Sequence, residues 1–321
     1  MNLNLSHPLN KAEAVVIDRP ESISIKRLQI ADMKADDVLV KVNYSGVSSG
    51  TERLLYEGRM PNFPGMGYPL IPGYESIGTV EKSGEESRFV AGERVFVPGA
   101  KCFAGYKSLF GGSASRLVVS SKRICSVPND TQEEGILLAL AATAHHIFSE
   151  KEGYKPDIII GHGTLGRLIA RISILKGANP VVVEVNPDRR KGSFPYELIG
   201  LSESRNLTGK SVIDASGDSS QLNDLIKFLK PKGEVVLAGF YDKPLNFDFA
   251  PAFIREAKIR VSAQWSDYDL QQVNDYFKSK KLDFTDIVTH KFPADLAADA
   301  YKVAFNDSSC LKMIIDWKGY S

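Results

Sequence analysis

The chain has 321 residues, 43% hydrophobic and 25% charged, the proportions of a globular protein with one large domain or two ordinary ones. Forty Lys plus Arg oppose 39 Asp plus Glu, leaving a formal charge of +1. No basic run is present, so no nucleic-acid partner is expected.

The opening Met-Asn-Leu-Asn-Leu-Ser-His-Pro lacks the charged and apolar regions of a signal peptide. The longest apolar stretch, Gly135 to Ala144, is far short of the roughly 20 residues a membrane span needs. A cytoplasmic protein with no membrane span is expected. Cys102, Cys125 and Cys310 have neither disulfide-framework nor zinc-knuckle spacing and read as free thiols.

Residues 12–120 predict a β-barrel-like domain. Short apolar or alternating runs at Ala14–Ile17, Val38–Val42, Ser76–Val80, Arg94–Val97 and Arg116–Val119 are separated by Gly and Pro clusters, notably Pro61 to Gly73 and Gly99 to Gly112. Glu133 to Ser149 reads as a buried Ala/Leu-rich helix. From Asp157 strands and helices alternate. Strand Ile158–Ile160 leads into a helix over Leu165–Lys176, whose apolar face is Leu165, Ile169, Ile172 and Leu175. Strands Val181–Val185, Val212–Ala215 and Glu234–Ala238 follow, with a helix over Ser219–Leu229 before the last. Alternation of this kind predicts a doubly wound parallel sheet. The tail predicts helices near Asp269–Lys280 and Ala294–Phe305 and a final strand Met313–Asp316.

Within that second half, Ile158-Ile-Ile-Gly-His-Gly-Thr-Leu-Gly166 is the strand–turn–helix that cradles a dinucleotide pyrophosphate. Gly161 allows the tight turn, Gly163 lets backbone approach phosphate, and Gly166 lets helix pack on strand. His162, between the glycines, either covers the phosphates or faces solvent; Thr164 and Leu165 open the helix. Glu184 ends the next strand 23 residues after Gly161, the place of a carboxylate that grips the adenine ribose and repels a 2′-phosphate. NAD is therefore the expected cofactor, with Arg189 and Arg190 keeping NADP open. Only 30 residues separate Glu184 from Asp214, so the sheet is expected to be shortened between its second and fourth strands, around Ser193–Lys210.

A β-rich half followed by a mid-chain fingerprint resembles the medium-chain dehydrogenase/reductase superfamily. Pro72-Gly-Tyr-Glu-x-x-Gly-x-Val80 is similar to its Gly-His-Glu-x-x-Gly segment, and Gly92-Glu-Arg-Val95 to its Gly-Asp-x-Val turn. Val212–Gly217, Val235–Gly239 and Thr289–Tyr301 match its later sheet strands and its C-terminal return. The resemblance implies a GroES-like domain over 1–145 and 286–321 and a Rossmann domain over 146–285. It also places Ala215, Ser216 and Gly239 among the cofactor contacts. The runs Gly46 to Glu75, Val97 to Phe103 and Leu109 to Gly112 resemble more closely one subfamily, the 3-hydroxyethyl bacteriochlorophyllide a dehydrogenases of bacteriochlorophyll biosynthesis. That likeness implies a tetrapyrrole substrate, oxidised with NAD from 1-hydroxyethyl to acetyl on ring A. Phe63, Met66, Tyr68, Phe103 and Phe110, in Pro/Gly-rich loops, suit a flat tetrapyrrole face or are core.

Zinc relatives in the superfamily hold their metal with a Cys, the His of Gly-His-Glu, and a Cys or Asp. The corresponding positions here are Ser49, Tyr74 and Ala139, which do not make a zinc site, and no metal is expected. The hydroxyl proton then needs another acceptor, and Ser49, Thr51, Tyr74, Glu75, His145 and His146 are the candidates. With an ordinary pKa of about 10, Tyr74 suits a donor to the substrate oxygen, while Glu75 or a water chain takes the proton. Blander roles remain: Tyr74 as filler of the metal's volume, Glu75 as a brace in an ion pair, His145 and His146 as core. Two other functions compete, a zinc-free NADPH-dependent enone or quinone reductase and a non-catalytic NAD-binding partner of a pigment-synthesis complex. The strand-like Lys258–Ala263 stretch suggests a homodimer.

Overall fold

The structure, a computed structural model, describes residues 10–62, 64–149, 151–262 and 264–320. Two compact units divide the chain, one running to Leu137 and resuming at Val288, the other Leu138–Ile287. The expected boundary at 145/146 is corrected by eight residues. A cut there would fall inside a helix that packs on helices of the second unit.

The first unit opens with β1 (Lys11–Arg19) and β2 (Ser22–Gln29), an antiparallel hairpin turned at Pro20 and Glu21. Glu21 adopts φ 62°, as a tight hairpin turn demands. The alternating Ser-Ile-Ser-Ile of β2 is a strand that the sequence reading did not include. Then come β3 (Asp37–Val47), α1 (Thr51–Tyr56), β4 (Leu70–Ile71), β5 (Ser76–Ser83), β6 (Arg94–Val97), β7 (Lys107–Ser108), β8 (Arg116–Ser120) and β9 (Cys125–Ser126).

The second unit holds α2 (Leu138–Ser149), β10 (Ile158–Ile160), α3 (Thr164–Leu175), β11 (Val181–Val183), β12 (Glu197–Ile199) and β13 (Gly209–Asp214). It continues with α4 (Leu222–Lys227), β14 (Leu229–Leu237), α5 (Phe249–Ile254), β15 (Lys258–Val261) and α6 (Asp267–Lys278). The return to the first unit supplies β16 (His290–Pro293), α7 (Ala297–Asn306) and β17 (Met313–Asp316).

The first unit carries a four-stranded sheet, β2-β1-β4-β7, and a seven-stranded sheet, β16-β17-β3-β5-β6-β9 with β8 on β3. The C-terminal strand matters most for the site. Antiparallel pairing of β17 with the end of β3 sets Met313 opposite Val47 and Ile314 opposite Gly46. On its other side β3 pairs with β5, Ser45 opposite Ser76. The core beneath is sealed by Trp317, fully buried, whose indole N–H donates to Ser45 Oγ at 2.9 Å.

The second unit's sheet is six-stranded and parallel, in the order β12-β11-β10-β13-β14-β15. Its order reverses between β10 and β13, the switch point at which such sheets bind ligands beyond their strand ends. The expected shortening needs correction in kind. A third strand, β12, survives; the two flanking helices are what the 30 residues cannot hold, and single 3-10 turns at Asp188–Arg190 and Glu203–Asn206 replace them. Two smaller expectations also shift. Glu133–Leu137 forms a 3-10 turn ahead of α2, and α3 buries Leu168, Ile169 and Ile172 while Leu175 is 37% exposed. Among the described residues no helix is long and apolar enough to cross a membrane.

Because Trp317 fills the core and satisfies Ser45 at once, Trp317→Ala is expected to cost about 3–5 kcal/mol. Urea denaturation followed by circular dichroism measures it, and a loss under 1 kcal/mol would show that the core collapses around the gap.

Candidate functional site

Tyr74 and Glu75 lie between β4 and β5, and Ser48 and Thr51 lie where β3 gives way to α1. The half-buried Tyr74 phenol donates to Ser48 Oγ at 2.8 Å and also meets the Thr51 hydroxyl. Its ring stands edge-on to Phe110, centroids 5.1 Å apart. Burial, reinforced by the Glu75 charge, pushes the phenol well above its ordinary pKa. At neutral pH it is a hydrogen-bond donor and no base. Ser49 is exposed at the turn ahead of α1, outside this buried group.

Glu75 is fully buried and forms an ion pair through Oε2 with Lys312 Nζ, itself 2% exposed. Burial raises the Glu75 carboxyl and the Lys312 charge pulls it back. Lys312 reaches it because β17 lies beside β3, and Gly46 makes room between them. A Cβ at Gly46 would fall 2.2 Å from Glu75 Oε2.

A second buried carboxylate, Glu52 on α1, was not among the sequence candidates. Its Oε2 accepts from Tyr301 of α7 at 2.6 Å, and its Oε1 from the Ser48 N–H at 3.3 Å. Burial raises it to about 7, against an ordinary 4.5. Ser48 thus serves both sides, its hydroxyl accepting from Tyr74 and its amide donating to Glu52. Ser48, Glu52, Tyr301 and Lys312 are the members that sequence reasoning missed. Lys312 carried a signal, a lone cation ahead of the apolar run Met313-Ile-Ile.

His145 and His146 belong elsewhere. Both present Nδ1 to Asp269, at 2.7 and 2.8 Å, and so tie α2 to the start of α6. Asp269 also closes a capping box with Ser266. Burial would raise its carboxyl, but the Ser266 and histidine hydrogen bonds outweigh burial and hold it well below the usual range. The pair braces helices and leaves the list of proton acceptors.

In the second unit the predicted glycine turn follows β10. Gly161 has φ 97°, a conformation that favours glycine. A Cβ on Gly166 would lie 1.9 Å from the Gly161 carbonyl, so α3 starts only because that position is bare. Gly163 is open, the nearest atom to a Cβ there being Arg189 Nη1 at 3.7 Å. These features fit a dinucleotide diphosphate at the N-terminus of α3, above Thr164 and the half-buried Leu165.

Glu184 is buried at the end of the second strand, its Oε2 accepting from the His162 N–H and its Oε1 from the Asn186 N–H, both at 2.7 Å. Arg189 faces the turn, while Arg190 lies against Gly200 and Glu203. His162 does not face solvent: its side chain is fully buried. At the ends of β13 and β14, buried Asp214 accepts from the Ser216 N–H and hydroxyl and from Tyr241 OH. That fastens Ala215 and Ser216 beside Gly161, while Gly239 lies against Gly217.

Of the loop aromatics, Phe103 is core, Met66, Tyr68 and Phe110 rest half-buried on a small cluster around Leu55 and Leu109, and Phe63 lies outside the described residues. Ser49 is exposed, Tyr74 half-buried and Ala139 fully buried, and a hydroxyl, a phenol and a methyl are not zinc ligands. Among the described residues, no three His, Cys, Asp or Glu gather as a metal site.

The raised Glu52 gives a signed pH prediction. The folded protein holds that proton more tightly than the unfolded chain, so stability falls as pH rises from about 4.5 to about 7. Glu52→Gln removes the penalty. Its melting temperature, relative to wild type, is expected to rise between pH 5 and pH 8 by the equivalent of about 3 kcal/mol. A pH-independent difference would refute a shifted Glu52.

Residues 34–129 match the family model of the alcohol dehydrogenase GroES-like domain. The chain is 43% identical over 310 residues to the 2-desacetyl-2-hydroxyethyl bacteriochlorophyllide A dehydrogenase of Rhodobacter capsulatus, covering 96% of this chain and 99% of that one. The enzyme of the same name from Cereibacter sphaeroides is 42% identical, with the same coverage. Among solved structures, an Escherichia coli alcohol dehydrogenase in complex with NADH superposes with a TM-score of 0.81 at 20% identity, over 96% of this chain and 99% of that one, a likeness of fold. With the GroES-like domain, the doubly wound sheet and near-complete coverage, the chain belongs to the family of 2-desacetyl-2-hydroxyethyl bacteriochlorophyllide A dehydrogenases.

Proposed function

We propose that this protein oxidises the 1-hydroxyethyl group of a bacteriochlorophyllide to acetyl, with NAD as hydride acceptor and without a metal. The observation that carries the chemistry is the Tyr74 phenol, held by Ser48 and Thr51 where zinc relatives place histidine. A nicotinamide held at the glycine turn would supply the hydride acceptor for the carbinol carbon. The chain supplies the rest. Tyr74, turning its O–H from Ser48 to the substrate, and Thr51 hold the carbinol oxygen by their hydroxyls. The Glu75–Lys312 pair keeps the Tyr74 segment fixed. Glu52, next to Thr51 and near neutrality, is the destination we assign to the carbinol hydroxyl proton, which reaches it through a water chain.

Glu184 favours NAD by its negative charge at the second strand's end, and Gly161, Gly163, Thr164 and Gly166 form the diphosphate cradle. Met66, Tyr68 and Phe110 suit the face of the macrocycle. Cys102, Cys125 and Cys310 stand outside any disulfide, which accords with the reducing cytoplasm. We also assign a homodimer. In the sheet order β15 is an edge strand, and Val261 on it, with Phe249, Phe253 and Ile254 on α5, leaves apolar side chains two-thirds or more exposed. A soluble monomer rarely shows such a group.

Incubation with NAD and 3-(1-hydroxyethyl) bacteriochlorophyllide is expected to give the acetyl pigment, seen by its absorbance shift, with one NADH per pigment. Tyr74→Phe is expected to lower kcat/KM roughly 100-fold. Unchanged turnover in that variant would reduce Tyr74 to filler, and reduction of an enone with NADPH instead would support the reductase reading. For the dimer, sedimentation should give twice the chain mass, and Val261→Lys with Ile254→Glu should halve it. A monomeric wild type would contradict the assignment.

A further inference from the structure

Loss of the helix between β11 and β12 leaves the segment from Asn186 to Tyr196 without the packing that normally holds it beside a cofactor turn. In its place stands a side-chain cluster centred on His162. Its Nδ1 meets the Arg189 carbonyl at 2.8 Å and its Nε2 the Tyr196 hydroxyl at 2.8 Å. A carbonyl only accepts, so Nδ1 carries the proton and Nε2 accepts from Tyr196. The imidazole stands at 90° to the Phe194 ring, 4.7 Å away, and Phe194 stacks on Tyr196. Arg167 of α3 closes the cluster, its guanidinium 4.9 Å from the Phe194 centroid, donating to the His162 and Arg189 carbonyls at 3.3 and 3.2 Å. The His162 N–H goes to Glu184. Every polar group of this glycine-turn residue is therefore spent on the segment after β11 or on α3. The outcome is geometric: Arg189, whose carbonyl His162 grips, has its Nη1 against open Gly163.

We propose that His162 is a positioning residue that latches the 186–196 segment onto the phosphate turn and so presents the Arg189 guanidinium to the cofactor's diphosphate. The proposal rests on reading that turn as the dinucleotide site. His162, its polar groups all bonded within the protein, acts through Arg189 and through the fixed turn. Burial and the arginines around it push its pKa down to about 4, so the imidazole stays neutral and the latch does not change with pH across the neutral range. The segment that lost its helix thereby becomes part of the anion site.

The test is calorimetric binding of NAD and of ADP-ribose to the whole protein, with apo melting temperatures beside it. His162→Ala is expected to weaken both ligands about tenfold or more. Tyr196→Phe, which removes one bond and no volume, should weaken them less. His162→Asn, whose amide can still donate to the Arg189 carbonyl, should recover part of the loss. Arg189→Ala should weaken binding by itself, and the double variant His162→Ala/Arg189→Ala should lose less than the sum, because one residue acts through the other. In turnover the His162 effect should fall on KM for NAD with kcat nearly kept. Unchanged affinity in His162→Ala, or strictly additive losses with Arg189→Ala, would overturn the latch. A wild type that binds neither ligand would instead overturn the dinucleotide reading.

Discussion

The first unit turns on one buried ion pair, Glu75 with Lys312, set across a glycine. The two ends come from segments more than 230 residues apart in sequence, and they meet only because β17 returns to pair with the end of β3. Gly46 lies between them, and its lack of a side chain is the condition for their approach. Such a pair is poor evidence for stability, since burying both charges costs about as much as their attraction returns, but removing one partner strands the other. Its consequence is positional. With Glu75 anchored, the neighbouring Tyr74 is held at Ser48 and Thr51, and Glu52, on the other side of Ser48, is raised to about 7 by burial.

The second unit answers a different constraint, chain length. Thirty residues between Glu184 and Asp214 cannot hold the helix, strand and helix of a full doubly wound sheet. Hydrogen bonding decided what was dropped. A missing strand would expose the edge of β11, whereas short 3-10 turns can join strands while β12 keeps that edge paired. The cost falls on the rim beside the glycine turn, where His162, Phe194, Tyr196 and Arg167 take the helix's place.

Elements with strong periodicity or fixed spacing were legible in the sequence: strands β6 and β17, the glycine turn, the parallel alternation. What escaped was non-local. Glu52 sits next to Thr51 in the run that was read, yet only the Tyr301 hydroxyl arriving from α7 shows that it is buried and bonded. Lys312 gains its role from strand register, which sequence spacing does not encode. His162 looked like a variable residue between glycines because its partners, Arg189 and Tyr196, lie 27 and 34 positions on. His145 and His146 had the right chemistry for bases, and their partner Asp269 turned them into a brace.

We propose that hydroxyl groups on this polar cluster do here what a Lewis acid does in zinc relatives. The most direct test is elemental analysis of active protein, with turnover of the carbinol pigment measured before and after exhaustive chelation. The account predicts no stoichiometric zinc and unchanged turnover. One zinc per chain, whose removal abolishes turnover and whose return restores it, would contradict it.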